Sequence, residues 1–274
     1  MVLTTSQASR DGTAAIRVGW AAEGVAELVI DRAPVNALDR QAQRELRMAA
    51  HALAGDEHAR TIVVRGEGHT FSAGADIKEM AVMSSEEMVE HATWMQRSFM
   101  ALLDVPVPTI AAIDGAALGG GCELAMCADL RIAGASSRIG LTEARIGVIP
   151  AAGGTQMLPR LVGLGPARRM IFTGEPISAG EAFTAGLVDE VVPDGEAAVA
   201  AVALASTFAR RPRSVLVAAK RGLTCALRDP LARGLLEETA AFLQAFTAPA
   251  RQQAMAAFLA GERGESPAAD RSVG

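Results

Sequence analysis

A chain of 274 residues, half of them apolar and 27 of them glycine, is long enough to bury a sizeable core and reads as one large domain with an appendage. A formal net charge of -5 argues against phosphate-backbone binding, which needs a clustered excess of Lys and Arg, and the densest basic cluster, Arg210, Arg211 and Arg213, reads as a solvated helix end. Cys122, Cys127 and Cys225 show no CxxC spacing in a chain too large to need disulfide staples; with no leader-like segment and no apolar run of about 18 residues, this points to a cytoplasmic setting without membrane insertion.

Short β-rich runs alternate with helical patterns, which indicates α/β architecture. Strands are predicted over Val25 to Ile30, Thr61 to Arg65, Thr109 to Ile113, Asp129 to Ile132 and Val188 to Val192. Between the first two, Asp39 can cap a helix whose apolar positions Ala42, Leu46, Ala49, Ala50 and Leu53 share one face, with Gly55 available to end it. Ser84 with Glu87, and Ser178 with Glu181, form capping boxes. The first opens a helix with the methionine-rich stripe Met88, Ala92, Met95, Phe99 and Leu102, and the second a short helix that Gly186 stops. Near Pro212 the character changes to helices over roughly Ser214 to Leu227, Pro230 to Phe246 and Ala250 to Ala260. The organisation expected is therefore an α/β core over 1–209 and a helical C-terminal region over 210–274.

Several chemistries lack their signatures. There is no GxxxxGK[ST] and no GxSxG, and Gly163-Leu164-Gly165 does not continue as GxGxxG. His51, His58, His69 and His91 form no HExxH or i, i+4 pair, so no metal site is expected. What remains is a central block. Thr70 to Met80 places small residues after a strand, where a ligand can approach backbone N–H groups, and Gly119-Gly120-Gly121 follows another strand and opens into a helix carrying Glu123. Taken singly, triple glycine is equally a packing device, Glu123 can simply complement a helix start, and Glu143 can be a loop acid. No spacing rule brings residues 123 and 143 together.

In combination these residues resemble the crotonase, or enoyl-CoA hydratase/isomerase, family. The likeness runs through Arg32 to Leu38, Phe71 to Met80, Ala117 to Met126, Glu143 to Gln156 and Gly174 to Pro193, and is most specific in the centre. It implies a crotonase-like spiral of repeated ββα units with a helical C-terminal region serving oligomerisation as a trimer or hexamer. It also implies that the amides of Ala75 and Gly120 form an oxyanion hole for a thioester carbonyl, a device that acts where charge develops. Glu123 and Glu143 would hold one water, Glu123 assisting its attack on C3 and Glu143 supplying a proton to C2, in the hydration of a trans-2-enoyl-CoA. Retention of both acids favours a hydratase over the single-carboxylate isomerases.

The resemblance sets CoA near Ala73, Ala75, Asp76 and Ile77, with Lys78 either a phosphate contact or a solvated lysine, and CoA as part of the substrate rather than a cofactor. Met80, Met83, Met88, Trp94, Met95 and Phe99 are offered either to an acyl pocket or to ordinary core packing. Glu123 in a first helical turn is expected to be biased toward ionisation, and Glu143 among Leu141, Ile146 and Val148 toward protonation. Other activities of the family, isomerisation or thioester hydrolysis, and a noncatalytic scaffold are the alternatives. One departure lies at Ala250 to Phe258, where acidic residues frequent in relatives are missing.

Overall fold

The computed structural model describes residues 14–228 and 231–247. The chain divides into two compact units, Met1–Arg211 and Pro212–Gly274. In the first unit, β1 (Ile16–Ala22) and β2 (Val25–Ile30) form a hairpin, followed by α1 (Arg40–Gly55), β3 (Thr61–Gly66), α2 (Ile77–Met80) and α3 (Ser85–Leu103). Next come β4 (Thr109–Ile113), β5 (Ala116–Leu118), α4 (Gly120–Met126), β6 (Leu130–Gly134), β7 (Arg138–Gly140) and a 3-10 turn over Glu143–Ile146. The unit closes with α5 (Gly154–Val162), α6 (Leu164–Thr173), β8 (Ile177–Ser178), α7 (Ala179–Ala185), β9 (Glu190–Val192) and α8 (Ala197–Ala209). In the second unit α9 (Arg213–Arg228) packs on α10 (Leu231–Thr247); the helix expected over Ala250 to Ala260 lies outside the described residues.

Two sheets organise the first unit. The larger has the order β1-β2-β3-β4-β6-β9, parallel except for the β1–β2 pair. The smaller has the order β5-β7-β8, and the backbone at Ser72 joins it by a parallel bridge to Ala117. A unit therefore recurs: a strand in the large sheet, a strand or bridge in the small one, then helix. It is traced by β3, Ser72 and α2–α3, by β4, β5 and α4, and by β6, β7 and the turn before α5. This is the α/β spiral of ββα repeats.

All five residues of β4 are buried, as befits a parallel strand covered on both faces. The cover on one side is α8. Its alanines at four-residue spacing, Ala197, Ala201, Ala205 and Ala209, let the helix approach Val25, Val63, Ile110 and Ile132 of the large sheet. Because α8 is apolar nearly all round, it offers the sequence no stripe by which to recognise it.

Both capping boxes form, with Ser84 accepting from Glu87 N–H and Ser178 from Glu181 N–H. Asp39 caps α1, and Gly186 ends α7 in the left-handed conformation at φ 81°. Gly55 does not play the corresponding part in α1: it is the last helical residue, and Asp56 caps the helix in extended conformation with its N–H on the Leu53 carbonyl. Where the sequence pattern suggests strands from Asp129 and Val188, they begin at Leu130 and Glu190. Strands β1, β5, β7 and β8 carry too little alternation, or are too short, to declare themselves.

Candidate active site

The loop after β3 is tied down before it reaches the site. Asn36, at φ 54°, donates from Nδ2 to the carbonyls of Glu67 and Thr70, at 3.0 and 2.6 Å. Ser72, fully buried, donates to the Asn36 carbonyl at 2.7 Å and accepts from Gly74 N–H at 3.1 Å. These bonds deliver Gly74 against the start of α4. Gly74 sits at φ 94°, and a methyl added there would fall 2.8 Å from Gly120 N and 2.6 Å from the Leu118 carbonyl oxygen, so only glycine fits.

The amides of Ala75 and Gly120 are thereby neighbours: the side-chain direction of Gly120 ends 3.3 Å from Ala75 N. Neither N–H donates to a protein acceptor among the described residues. Two adjacent unengaged donors are what a developing oxyanion requires.

The carboxylates meet through β5 and β7. These strands pair in parallel with Leu118 opposite Gly140, so the residues that follow each strand emerge at the same edge of the small sheet. Gly119 N–H donates to the Gly140 carbonyl at 2.8 Å, and the chain beyond Gly119 turns into α4, carrying Glu123 in its first turn. Beyond Gly140 the chain enters the 3-10 turn that starts at Glu143. The side-chain direction of Gly119 points to within 3.2 Å of Glu143 Oε1.

Glu123 is 1% exposed. Its Oε1 accepts from the N–H groups of Ala152 and Gly154, both at 2.8 Å, because the loop after the 3-10 turn returns over α4. A methyl at Gly154 would stand 2.9 Å from that same Oε1 and 2.8 Å from Pro150 Cβ. Gly154→Ala is therefore expected to cost about 1–3 kcal/mol of stability by overpacking, measurable by urea denaturation, and to displace the carboxylate.

The pKa pattern differs from expectation at one acid. Burial pushes the Glu123 carboxyl up, against the lowering effect of the Gly154 and Ala152 amides, so ionisation is not set by the helix start. Glu143 is pushed up to about 7, first by burial and then by the charge of Glu123. Of the residues expected around it, Leu141 is buried, whereas Ile146 and Val148 are exposed. Glu143 Oε2 is buried with no hydrogen-bond partner, an arrangement that ordinary folding does not favour. Both carboxyls are raised and titrate as a coupled pair, in which the Ala152 and Gly154 amides favour the charged form of Glu123. Cys122, buried beside them, stays a thiol because burial and then the two carboxylates raise its pKa.

The other expected residues divide by environment. Ala73 N–H donates to the Val35 carbonyl at 2.9 Å, and Asp76 caps α2 while accepting from Arg32 Nη2 at 2.9 Å. The Asp76 carboxylate thus has structural partners, and Ile77 and Lys78 are exposed on the next turn. On α3, Met95 and Phe99 are buried, but Trp94 turns toward α1, with the Arg47 guanidinium 5.0 Å from its ring centre. The Ala152 and Gly154 amides could not be foreseen from the sequence at all, since backbone donors carry no residue signature. A cleft of about 390 Å³ elsewhere in the unit, lined by Arg65, His69, Asp114 and Asp194 among others, contains none of these residues. Among the described residues no group of three His, Cys, Asp or Glu side chains is arranged to hold a metal, and no helix is long and apolar enough to cross a membrane.

A ββα spiral presenting two free amides beside the buried Glu123 and the half-buried Glu143 is the architecture expected of the crotonase class. The family model described as enoyl-CoA hydratase/isomerase matches residues 21–267. The chain is 39% identical over 228 residues to the probable enoyl-CoA hydratase echA8 of Mycobacterium tuberculosis, covering 82% of this chain and 87% of that protein. It is 37% identical over 241 residues to human mitochondrial methylglutaconyl-CoA hydratase, covering 86% and 71%. Among solved structures, enoyl-CoA hydratase from Bacillus anthracis superposes with a TM-score of 0.86 at 34% identity, covering 90% of this chain and 96% of that one. Pseudomonas aeruginosa DspI gives 0.88 at 36%, covering 93% and 98%. The chain belongs to the enoyl-CoA hydratase/isomerase family.

Proposed function

We propose that the protein is an enoyl-CoA hydratase, adding water reversibly and syn across a trans-2-enoyl-CoA to give a 3-hydroxyacyl-CoA. The observation that carries this reading is the interacting acid pair, with Glu143 raised to about 7 and its buried Oε2 unpartnered. Ala75 and Gly120 N–H groups grip the thioester oxygen as the enolate forms. Glu123, fixed through Oε1, draws a proton from water as its oxygen bonds to C3, and Glu143 releases its proton to C2. The water proton left on the pair restores the starting state, so one water is consumed and no redox step occurs. CoA enters as part of the substrate, no further cofactor takes part, and acyl-CoA catabolism such as fatty acid β-oxidation in the cytoplasm is the setting. The chain works as a homotrimer or a hexamer of paired trimers.

Hydration rates across straight-chain enoyl-CoAs, together with the methylglutaconyl-CoA of the human relative's name, test the assignment. The expected product from crotonyl-CoA is 3-hydroxybutyryl-CoA. Shifted double bonds or free CoA, in place of hydrated product, would move the protein to isomerase or thioesterase, and no turnover with any member would leave a noncatalytic scaffold.

A further inference from the structure

The peptide group between Ala151 and Ala152 is held at both ends. Its N–H donates to Glu123 Oε1 at 2.8 Å, and its carbonyl accepts from Gln96 Nε2, on α3, also at 2.8 Å. A carbonyl and the N–H that follows it lie in one rigid plane and point in opposite directions, so a bond that orients one orients the other. The segment itself supplies little restraint. Ala151 and Ala152 belong to neither helix nor strand, and Gly153 next to them sits at φ 119°. Rotation of the whole plane needs only compensating changes in two neighbouring soft torsions, and it would turn the Ala152 N–H away from the carboxylate. A donor on the carbonyl also polarises the peptide and strengthens its N–H as a donor.

We propose that Gln96 is a positioning residue for Glu123: by donating to the Ala151 carbonyl it holds the Ala151–Ala152 plane so that the Ala152 N–H stays on Glu123 Oε1. This rests on the hydratase reading of Glu123. Fixing Oε1 with two amides leaves the other carboxylate oxygen for water, and α3 becomes a strut for the base as well as a wall of the core. Met100, one turn further along α3, adds to the strut, since the side-chain direction of Gly153 ends 3.3 Å from its Cε.

The test compares Gln96→Leu and Gln96→Glu with Glu123→Gln in the full chain, using crotonyl-CoA. Gln96→Leu is expected to lower kcat about 2- to 10-fold, the worth of one hydrogen bond, with KM unchanged. The acid limb of the kcat profile should move to higher pH, because Glu123 loses an amide that favours its charge. The 1H–15N resonance of Ala152 should shift independently of any turnover. Gln96→Glu is nearly isosteric but, once ionised, sets an oxygen against the carbonyl; it should be slower than Gln96→Leu at pH 8 and recover relative to it at pH 5, where the carboxyl can donate. If Gln96→Leu keeps the wild-type kcat, pH limb and Ala152 resonance while Glu123→Gln is inactive, the inference fails and the hydratase reading stands. A fall in kcat with pH limb and resonance unmoved also overturns it, as a merely structural effect. Wild-type turnover by Glu123→Gln overturns both.

Discussion

Glu143→Gln is expected to lower kcat for hydration by about 100- to 10,000-fold, the usual worth of a positioned acid or base, with KM little changed. The amide keeps the volume and cannot release a proton to C2. In the unaltered protein, hydration should fall as pH rises through about 7, the value at which Glu143 loses its proton, and the variant should lack that limb. The substitution should change stability in the opposite sense to activity. The folded-state value lies above the ordinary carboxylate range of about 4.3, so the neutral acid is the favoured form in the fold. The stabilisation this confers is complete below the ordinary value and is lost as pH rises through about 7. Gln is neutral at every pH, and Glu143→Gln should therefore melt higher than the unaltered protein at pH 8, with the gain gone at pH 4. Stopped-flow or spectrophotometric hydration rates and thermal melts at the two pH values check both halves. Turnover within a few-fold of the unaltered enzyme would sink the role of Glu143.

The second large effect concerns an amide that no side-chain truncation can remove. Gly120→Pro should lower kcat at least about 100- to 1,000-fold, by deleting one oxyanion donor and by setting a Cβ 3.3 Å from the Ala75 N that carries the other. Gly120 is the first residue of α4, where proline is tolerated because its missing N–H has no helical partner. Gly119 before it, at φ 52° and ψ -124°, is clear of the helical region that proline denies its predecessor. A Tm within a few degrees of the unaltered protein, with lost turnover, is the expected pair of results. Full activity would remove Gly120 from the oxyanion hole.

Where local chemistry is self-contained, the sequence was a sufficient guide. Both capping boxes, the Asp39 cap and the Gly186 stop are agreements between a side chain or a glycine and backbone a few residues away. The helix ends at Gly55 as the sequence suggested, but the cap is supplied by Asp56 in extended conformation. The short strands of the small sheet were not legible, since three residues such as Ala116–Leu118 hold no period, and neither was α8, whose apolar surface has no polar face for contrast. Of the two places the sequence left open for Trp94, an acyl pocket or ordinary packing, its stacking with Arg47 of α1 shows a packing contact that no periodicity could indicate.

The sequence by itself determined the α/β alternation, the helix boundaries set by caps, the family resemblance and the two acids with their flanking glycine turns. It could not determine that the acids share a site. That was decided by the parallel pairing of β5 with β7, a register between segments about twenty residues apart that sends both following turns to one edge. Nor could it determine what surrounds each acid. Glu123 receives two amides from a loop about thirty residues further on, and Glu143 has a buried oxygen left without a partner. Desolvation and hydrogen bonding depend on what surrounds a carboxylate in space, and two glutamates identical in the sequence acquire different proton affinities only when the chain closes around them.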